Sequence, residues 1–335
     1  MTPPPTPAGA LRLAHTGLIR ASGADAASFL HGQLTNDFTG LGLGEARLAA
    51  YCSPKGRMLA SLLGFKHRHD EVWLAVRREV LPATLKRLRM FVLRAKAQLS
   101  EADTGQNADN GSETNANAPV NIALLGLAGP EVQAWLAEHH PEAATLAVWK
   151  KLDLSAEAHL VRLPQAAGQP RWLWAGLPAE AEALLAALPA LSSADWDWLE
   201  VRSGIAPVLA ATVEAFVPQM LNYELVGGVN FQKGCYPGQE IVARSQYRGT
   251  MKRRAVLVHA AAEPAVGQEL FWSGDPDQPS GLIALAAPAP GGGFDAIAEC
   301  KLAALGTGSL HLGATDGPTL ALIPMPYALP REAEG

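Results

Sequence analysis

The chain has 335 residues, of which 48% are hydrophobic and 18% are charged, and its formal net charge is -5. This composition is typical of a soluble globular protein of two or three domains, and it excludes the broad basic surface that sequence-independent nucleic-acid binding needs. The three cysteines, Cys52, Cys235 and Cys300, are too few and too far apart for a disulfide framework or a paired metal-ligand motif.

The segment 1–9 is rich in proline and has neither a basic start nor an apolar run, which argues against a secretory signal. No stretch reaches the roughly 18 consecutive apolar residues of a membrane helix. We therefore expect a cytoplasmic protein with no membrane partner. Nothing in the sequence indicates an obligate oligomer, so we expect a monomer.

A strand, a tight turn and a helix follow one another in three places. The first copy is Gly17–Phe38, the second begins at Asn121 and reaches Leu136, and the third is Arg171–Leu188. Such units are common and imply no shared ancestry by themselves. Their repetition predicts split α+β domains with antiparallel sheets.

Between the first two copies, strands predicted at Ala46–Phe65 and Glu71–Val76 precede a basic helix at Leu81–Leu93. We interpret this helix as a solvated face, although it is the one candidate surface for an anionic partner. The run Glu101–Pro119 has no apolar period and is predicted to be a mobile loop without function.

After Lys252 the chain changes to short apolar runs broken by Gly, Pro and Asp, which predicts about five or six strands of a small closed barrel. The expected fold class is thus α+β. Residues 10–45 together with 120–246 form one discontinuous domain, 46–119 form an inserted domain, and 247–330 form the β-barrel.

One glycine-rich segment, Asn230–Arg244, carries the chemistry. A helix is predicted to start at Pro237 or Gly238 and to end near Tyr247. Cys235 lies just before its positive end, with Lys233 and Arg244 as neighbouring cations, and this setting is typical of functional thiols. The alternative is that Cys235 is a small buried residue beside Tyr236 and that the glycines only form turns.

The string K-G-C-Y-P-G-Q-E at 233–240 closely resembles the signature K-G-C-(Y/F)-x-G-Q-E of the YgfZ family. Further matches are R-S-G-I-A-P-V at 202–208, P-Q-M-L-N at 218–222, G-G-V-N-F at 227–231, and the opening segment from Gly23 to Asp37. The resemblance implies the fold of the glycine-cleavage aminomethyltransferases, three domains around a central hole. It also implies a role in maintaining iron-sulfur enzymes, including one that thiolates tRNA, so the expected partners are iron-sulfur proteins or their assembly factors and not nucleic acid itself.

The same resemblance implies that tetrahydrofolate binds in the hole against an aromatic side chain. Trp196 or Trp198 matches that place, and Trp196 has the better spacing. The binding residues expected with it are Asn222, Tyr236, Gln239 and Glu240, while Cys235 supplies a functional thiol beside Lys233 and Arg244. A second tryptophan of some family members is replaced by Thr16.

In the aminomethyltransferases an acidic pair activates the folate. Ala60 and Ser61 stand at the matching place here, which argues against that chemistry, although Glu240 or Glu224 could substitute. The leading hypothesis is therefore a folate-binding protein. A one-carbon transferase and a non-folate iron-sulfur scaffold remain the alternatives. Two histidine pairs, His67 with His69 and His139 with His140, are interpreted as surface residues.

Overall fold

The computed structural model describes residues 7–102, 121–247 and 251–330. The segment Glu101–Pro119, predicted to be a mobile loop, lies outside these ranges except for Glu101 and Ala102. Within them the chain forms six α-helices, which are α1 (Ala26–Gln33), α2 (Leu81–Met90), α3 (Pro130–His139), α4 (Pro178–Ala187), α5 (Ser193–Arg202) and α6 (Gln239–Tyr247).

Two antiparallel five-stranded sheets form the first two-thirds of the molecule. The first sheet has the order β1 (Gly9–Arg12), β7 (Ala123–Ala128), β10 (Gln169–Gly176), β9 (His159–Ala166) and β8 (Lys151–Asp153). The second has the order β3 (Ala46–Cys52), β4 (Met58–Arg68), β5 (Glu71–Arg77), β2 (Thr16–Ser22) and β6 (Gln98–Ala102). All three predicted strand-turn-helix units are present, as β2–α1, β7–α3 and β10–α4.

The remaining strands close into a barrel, as the spacing of apolar runs after Lys252 predicts. Its order is β11 (Arg253–Ala260), β14 (Phe294–Lys301), β13 (Gly281–Pro288), β12 (Glu269–Trp272), β15 (Leu310–Leu312) and β16 (Thr319–Ile323). The three-residue strand β15 has too few residues to show a period of two, so the sequence did not predict it.

Alternation along β5 explains how the layers meet. Leu74 and Val76 pack in one apolar cluster with α1 and α2, whereas Trp73 and Ala75 pack in another with the first sheet. Both faces of the strand are covered, so its seven residues are all buried. The two sheets therefore lie face to face, with α1 and α2 on the outer side of the second sheet and α3 and α4 on the outer side of the first.

Strand pairing divides residues 10–45 between the two sheets, whereas the sequence analysis expected them to lie in one domain. Strand β2 pairs with β5 and β6, so it belongs to the sheet formed by residues 46–102, while only β1 joins the first sheet. Turn signals around β2 are local and carry no information on which distant edge the strand will join.

A membrane-crossing helix is absent from the described residues, since no helix there combines the required length with sufficient apolar character.

Candidate functional site

A cavity lies between the two sheets and is closed on one side by α5. We call it the central cavity; it encloses about 150 Å³ and is lined mainly by Thr16, Ser61, Trp149, Arg171, Trp196 and Glu200. These residues come from β2, β4, β10, α5 and the segment before β8. Strand side chains of both sheets border this gap, and α5 and the loop segments complete its wall.

Trp196 is the predicted aromatic residue, and the structure places it in the wall of this cavity. Its neighbour Trp198 points away, since its Nε1 donates to Asp295 of the barrel at 2.8 Å. A side chain on Gly126 of β7 would meet the Trp196 ring at 2.7 Å, so this strand glycine makes room for the indole. Trp196 is only 1% exposed, and its Nε1 has no hydrogen-bond partner among the described residues.

Arg171 on β10 is the most unusual charge in the cavity wall. Its side chain is buried and lies 5.4 Å from the Trp196 ring centroid, and its Nε donates to the Pro164 carbonyl at 3.2 Å. Within the described ranges no carboxylate forms an ion pair with it. Burial lowers the pKa of this guanidinium to about 10, which still leaves it charged at neutral pH.

A carboxylate also reaches the cavity, from a position that the sequence did not single out. Glu200 lines the wall and binds Arg77 at 2.6 Å. With His15 and Asp197 it forms a cluster whose polar atoms lie within 4.8 Å of one another. Burial, together with the charge of Glu200, raises the pKa of Asp197 to about 6.

One of the two positions of the missing acidic pair lies in the same cavity. Ser61 lines it and accepts a hydrogen bond from the Val208 amide at 2.9 Å, while Ala60 is fully buried in the apolar cluster under α1. Thr16, which replaces the second tryptophan, also lines the wall. Residues 16, 61 and 196, which the family resemblance singled out separately, thus all line one cavity.

The signature segment lies elsewhere, against α1. Lys233 is buried, and its ammonium donates to the main-chain oxygens of His31 and, at 2.9 Å, Leu34. These carbonyls end α1 and have no partner inside the helix. Burial lowers the pKa of Lys233 to about 8, whereas nearby Asp37 and Cys235 oppose the shift. The first role of Lys233 is therefore to cap α1.

The other signature residues surround this anchor. Cys235 is exposed, four residues before α6, and the helix itself begins at Gln239 and ends at Tyr247, close to the predicted bounds. Tyr236 is buried, with its ring 4.6 Å from the Lys233 ammonium. Glu240 and Arg244 are exposed and Gln239 is half-buried. None of these side chains lines the central cavity.

Asn222 and Glu224 form part of the joint to the barrel. Asn222 is fully buried; its side-chain amide donates to the Ala255 carbonyl, and its oxygen accepts from Arg254 at 3.0 Å. Glu224 pairs with the same Arg254 at 2.6 Å. Both side chains are thus engaged with protein groups away from the central cavity.

One histidine prediction is wrong. His67 is buried, and it shares a 2.7 Å hydrogen bond with His159 while stacking on Trp73. The residues next to it in the sequence are polar, which suggested an exposed position. However, the face of β4 that carries His67 packs on the first sheet. The last few residues of a strand are too few for their periodicity to reveal that burial. His69, His139 and His140 are not among the buried residues.

The structure adds Arg171, Glu200 and Trp149 to the residues that sequence reasoning selected. A signal for Glu200 was available: it follows Trp196 by four residues, and residues four apart share one face of a helix. No comparable signal existed for Arg171 or Trp149, because strand pairing and a loop bring them to the cavity from distant parts of the chain.

Curated proteins and a solved structure are similar to this chain over most of its length. No protein-family model matches the chain. It is 32% identical over 273 residues to the tRNA-modifying protein YgfZ of Photorhabdus laumondii subsp. laumondii, covering 80% of this chain and 76% of that protein. It is 31% identical over 320 residues to the protein of the same name from Edwardsiella ictaluri, covering 92% and 89%.

Among solved structures, the fold is similar to that of the glycine cleavage system aminomethyltransferase T from Bartonella henselae. The TM-score is 0.73 at 16% identity, and the similarity covers 95% of this chain and 85% of that one. The expected aminomethyltransferase-like fold is thereby confirmed, with its two antiparallel sheets and closed barrel. Given this fold and the identity to its curated relatives over most of its length, the chain belongs to the YgfZ family.

Proposed function

We propose that this protein binds a reduced folate in the central cavity and uses the exposed thiol of Cys235 to support iron-sulfur enzymes, and through them tRNA modification. The observation that carries the proposal is Arg171, a buried cation that faces an aromatic-lined cavity without a carboxylate partner in the described part of the chain. Burying an unpaired charge is costly, so a ligand group that accepts hydrogen bonds from it would be bound favourably.

The residues present fit a folate. Its flat ring system carries both hydrogen-bond donors and acceptors, and the cavity offers a cation at Arg171, a carboxylate at Glu200 and the indoles of Trp149 and Trp196. The unpartnered Nε1 of Trp196 is a further buried polar atom that a ligand or a water could satisfy. When bound, a reduced folate supplies a carrier for one-carbon units.

The signature residues take a separate part in this proposal. Lys233 and the buried Tyr236 anchor the segment that presents Cys235, and Glu240 and Arg244 remain exposed on α6 beside it. All three cysteines are unpaired, which is consistent with action in the reducing cytoplasm.

Folate binding is tested by calorimetric titration of the purified protein with tetrahydrofolate. We expect saturable binding that Arg171→Gln weakens at least about tenfold, because the ligand then loses a charge-assisted hydrogen bond. Arg68→Gln is the matched control, since Arg68 is exposed and pairs with Glu157 outside the cavity. Cys235→Ala should bind as the wild type does. Failure of the wild-type protein to bind any reduced folate would leave the scaffold hypothesis.

The thiol is tested in cells that lack the protein. Wild-type protein and Arg68→Gln should restore the activity of an iron-sulfur enzyme that thiolates tRNA under oxidative conditions, and Cys235→Ser should not. Equal rescue by Cys235→Ser would remove the thiol from the proposal while leaving folate binding intact.

Glu200 favours a second candidate, a one-carbon transferase, because it restores a carboxylate to a cavity in which Ser61 replaces the acidic pair. Asp197, with its pKa raised to about 6, lies beside it as a potential proton acceptor. Conversion of tetrahydrofolate to its methylene form with an aminomethyl donor, accompanied by release of ammonia and abolished by Glu200→Gln, would support this candidate. Absence of turnover in the wild-type protein would exclude it for that donor.

A further inference from the structure

A surface at the end of α2 exposes three apolar side chains that lie close together in the chain. Met90, Phe91 and Leu93 are 62%, 42% and 88% exposed. Single exposed apolar residues are common in proteins, but a cluster of them is typical of a contact site. Leu93 also has a positive φ, 29°, which residues other than glycine rarely adopt, and backbone strain of this kind is concentrated at functional positions.

The same segment carries an unbalanced positive charge. Residues 81–97 include five cations and no carboxylate, although the whole chain has a formal net charge of -5. Within the described ranges none of these five cations forms an ion pair, whereas eight arginines elsewhere bind a carboxylate. We use the name α2 patch for the exposed residues Lys86, Met90, Phe91, Leu93, Arg94 and Lys96.

Helix α1 connects the α2 patch to the thiol-bearing segment. At the start of α1, the Lys96 amide donates to the Asp25 carboxylate at 2.8 Å, and the Asp25 amide donates to the Lys96 carbonyl at 3.1 Å. At its other end, the Lys233 ammonium donates to the Leu34 carbonyl at 2.9 Å. The eight residues of α1 span about 12 Å, so a partner protein that covers the patch can also reach the exposed Cys235.

The residue types of the α2 patch favour a protein partner. Interfaces between proteins are enriched in Met, Phe and Arg, and they combine an apolar centre with a charged rim. Single-stranded RNA binds on flat aromatic or guanidinium faces, and among the three apolar side chains only Phe91 offers one. A helix that lies on a membrane inserts its own apolar face, but the apolar face of α2 is buried against the second sheet.

We infer that the α2 patch docks an acidic protein segment that bears apolar side chains, and that this segment belongs to the partner served by Cys235. Carboxylates of the partner pair with Lys86, Arg94 and Lys96, and its apolar side chains cover the centre of the patch. This inference rests on the proposed function and adds the docking surface and the chemistry of the partner.

Calorimetry with synthetic polymers tests the chemistry of the patch. The full chain should bind a random copolymer of glutamate and tyrosine several-fold more tightly than polyglutamate of the same length, because the copolymer also covers the apolar side chains. Arg94→Glu should weaken copolymer binding about tenfold, since an attraction becomes a repulsion. Lys252→Glu is the matched control, because Lys252 is exposed outside the patch and the charge change is the same.

Leu93→Gly separates binding from folding. Glycine accepts the positive φ, so thermal unfolding should show no loss of stability, while copolymer binding should fall several-fold because the exposed apolar side chain is gone. Unchanged copolymer binding by both Leu93→Gly and Arg94→Glu would overturn the inference. Tighter binding of total tRNA or of phosphatidylglycerol vesicles than of the copolymer, lost in Arg94→Glu, would assign the patch to RNA or to a membrane. A dimer that Arg94→Glu dissociates in sedimentation would assign it to a second copy of the chain.

Rescue of cells that lack the protein tests the link to Cys235. Arg94→Glu should restore the activity of the iron-sulfur enzyme that thiolates tRNA several-fold less than wild type does, and Lys252→Glu should restore it fully, at equal protein levels. Full rescue by Arg94→Glu together with failure of Cys235→Ser would overturn this inference while the proposed function stands. Full rescue by Cys235→Ser together with failure of Arg94→Glu would remove the thiol from the proposed function and leave the docking surface.

Discussion

At the scale of single residues, the signature segment depends on close backbone packing as well as on its thiol. Gly238 and Gly56 both have positive φ, 79° and 70°, and they face each other where the signature turn crosses the turn between β3 and β4. A Cβ on Gly238 would lie 2.4 Å from the Ser53 carbonyl oxygen and 2.7 Å from the Gly56 Cα. These glycines are therefore required by contact between two chain segments.

We predict that Gly238→Ala destabilises the protein by about 2 kcal/mol or more, since the added methyl group meets main-chain atoms and the residue keeps a disfavoured φ. Urea unfolding measures the loss. The control is Gly32→Ala within α1, where nothing lies within 4 Å of the added Cβ and a gain of about 0.5–1 kcal/mol is expected. Equal stability of wild type and Gly238→Ala would show that the two turns can separate without cost.

At the scale of elements, a buried polar cluster joins the two sheets. His67 on β4 bonds His159 on β9, and His159 bonds Asp153 on β8 at 2.6 Å. Lys151, whose side chain is fully buried, binds the same Asp153. Burial is the largest influence on His159 and lowers its pKa to about 4, with the charge of Lys151 acting in the same direction.

This cluster predicts a specific dependence of stability on pH. An unfolded histidine binds its proton near pH 6.5, whereas folded His159 does so only near pH 4, so in that range the unfolded state holds more protons. The contribution of His159 is fully present above pH 6.5 and is lost as the pH falls toward 4, with a total of about 3 kcal/mol.

Urea unfolding between pH 4 and 7 tests the effect. His159→Gln should have a flatter pH profile than wild type in this window, while His139→Gln, on the outer end of α3, should follow wild type. Parallel profiles for wild type and His159→Gln would contradict the assigned protonation state.

At the scale of the whole molecule, the barrel is joined to the sheets through a buried ion pair. Arg254 on β11 binds Glu224 and Asn222, and Asn222 also binds the hydroxyl of Tyr327, which follows β16. The Tyr327 hydroxyl donates in turn to the Gly204 carbonyl after α5 at 2.7 Å. The side chains of Arg254 and Glu224 are only 7% and 4% exposed.

A double-mutant cycle tests this joint. Arg254→Met should cost about 3–5 kcal/mol of unfolding free energy, because it leaves the Glu224 carboxylate buried without its cation. Glu224→Gln combined with Arg254→Met should recover part of that loss, since the uncompensated charge is gone. Additive effects of the two substitutions would show that the pair does not interact energetically.

Much of the element structure could be predicted from the sequence, because turns and apolar periods act over a few residues. The units β2–α1, β7–α3 and β10–α4, the helix after Cys235 and the strand-rich C-terminal region were all predicted on that basis. The candidate site was predictable only where a family pattern marks a position, as at Thr16, Ser61 and Trp196. Arg171 and Trp149 have no local pattern, so they could not be found.

The sequence by itself determined the α+β class, the barrel, the family and the place of the thiol-bearing segment in the chain, since each depends on a local pattern or on a contiguous string such as 233–240. Tertiary structure alone decided the rest. It paired β2 with β5 and β6, directed the Lys233 ammonium to the end of α1, buried His67 against His159, and placed Trp149 in the wall of the central cavity. Each of these contacts joins residues far apart in the chain, and strand pairing and the packing of the two sheets, rather than local preference, bring them together.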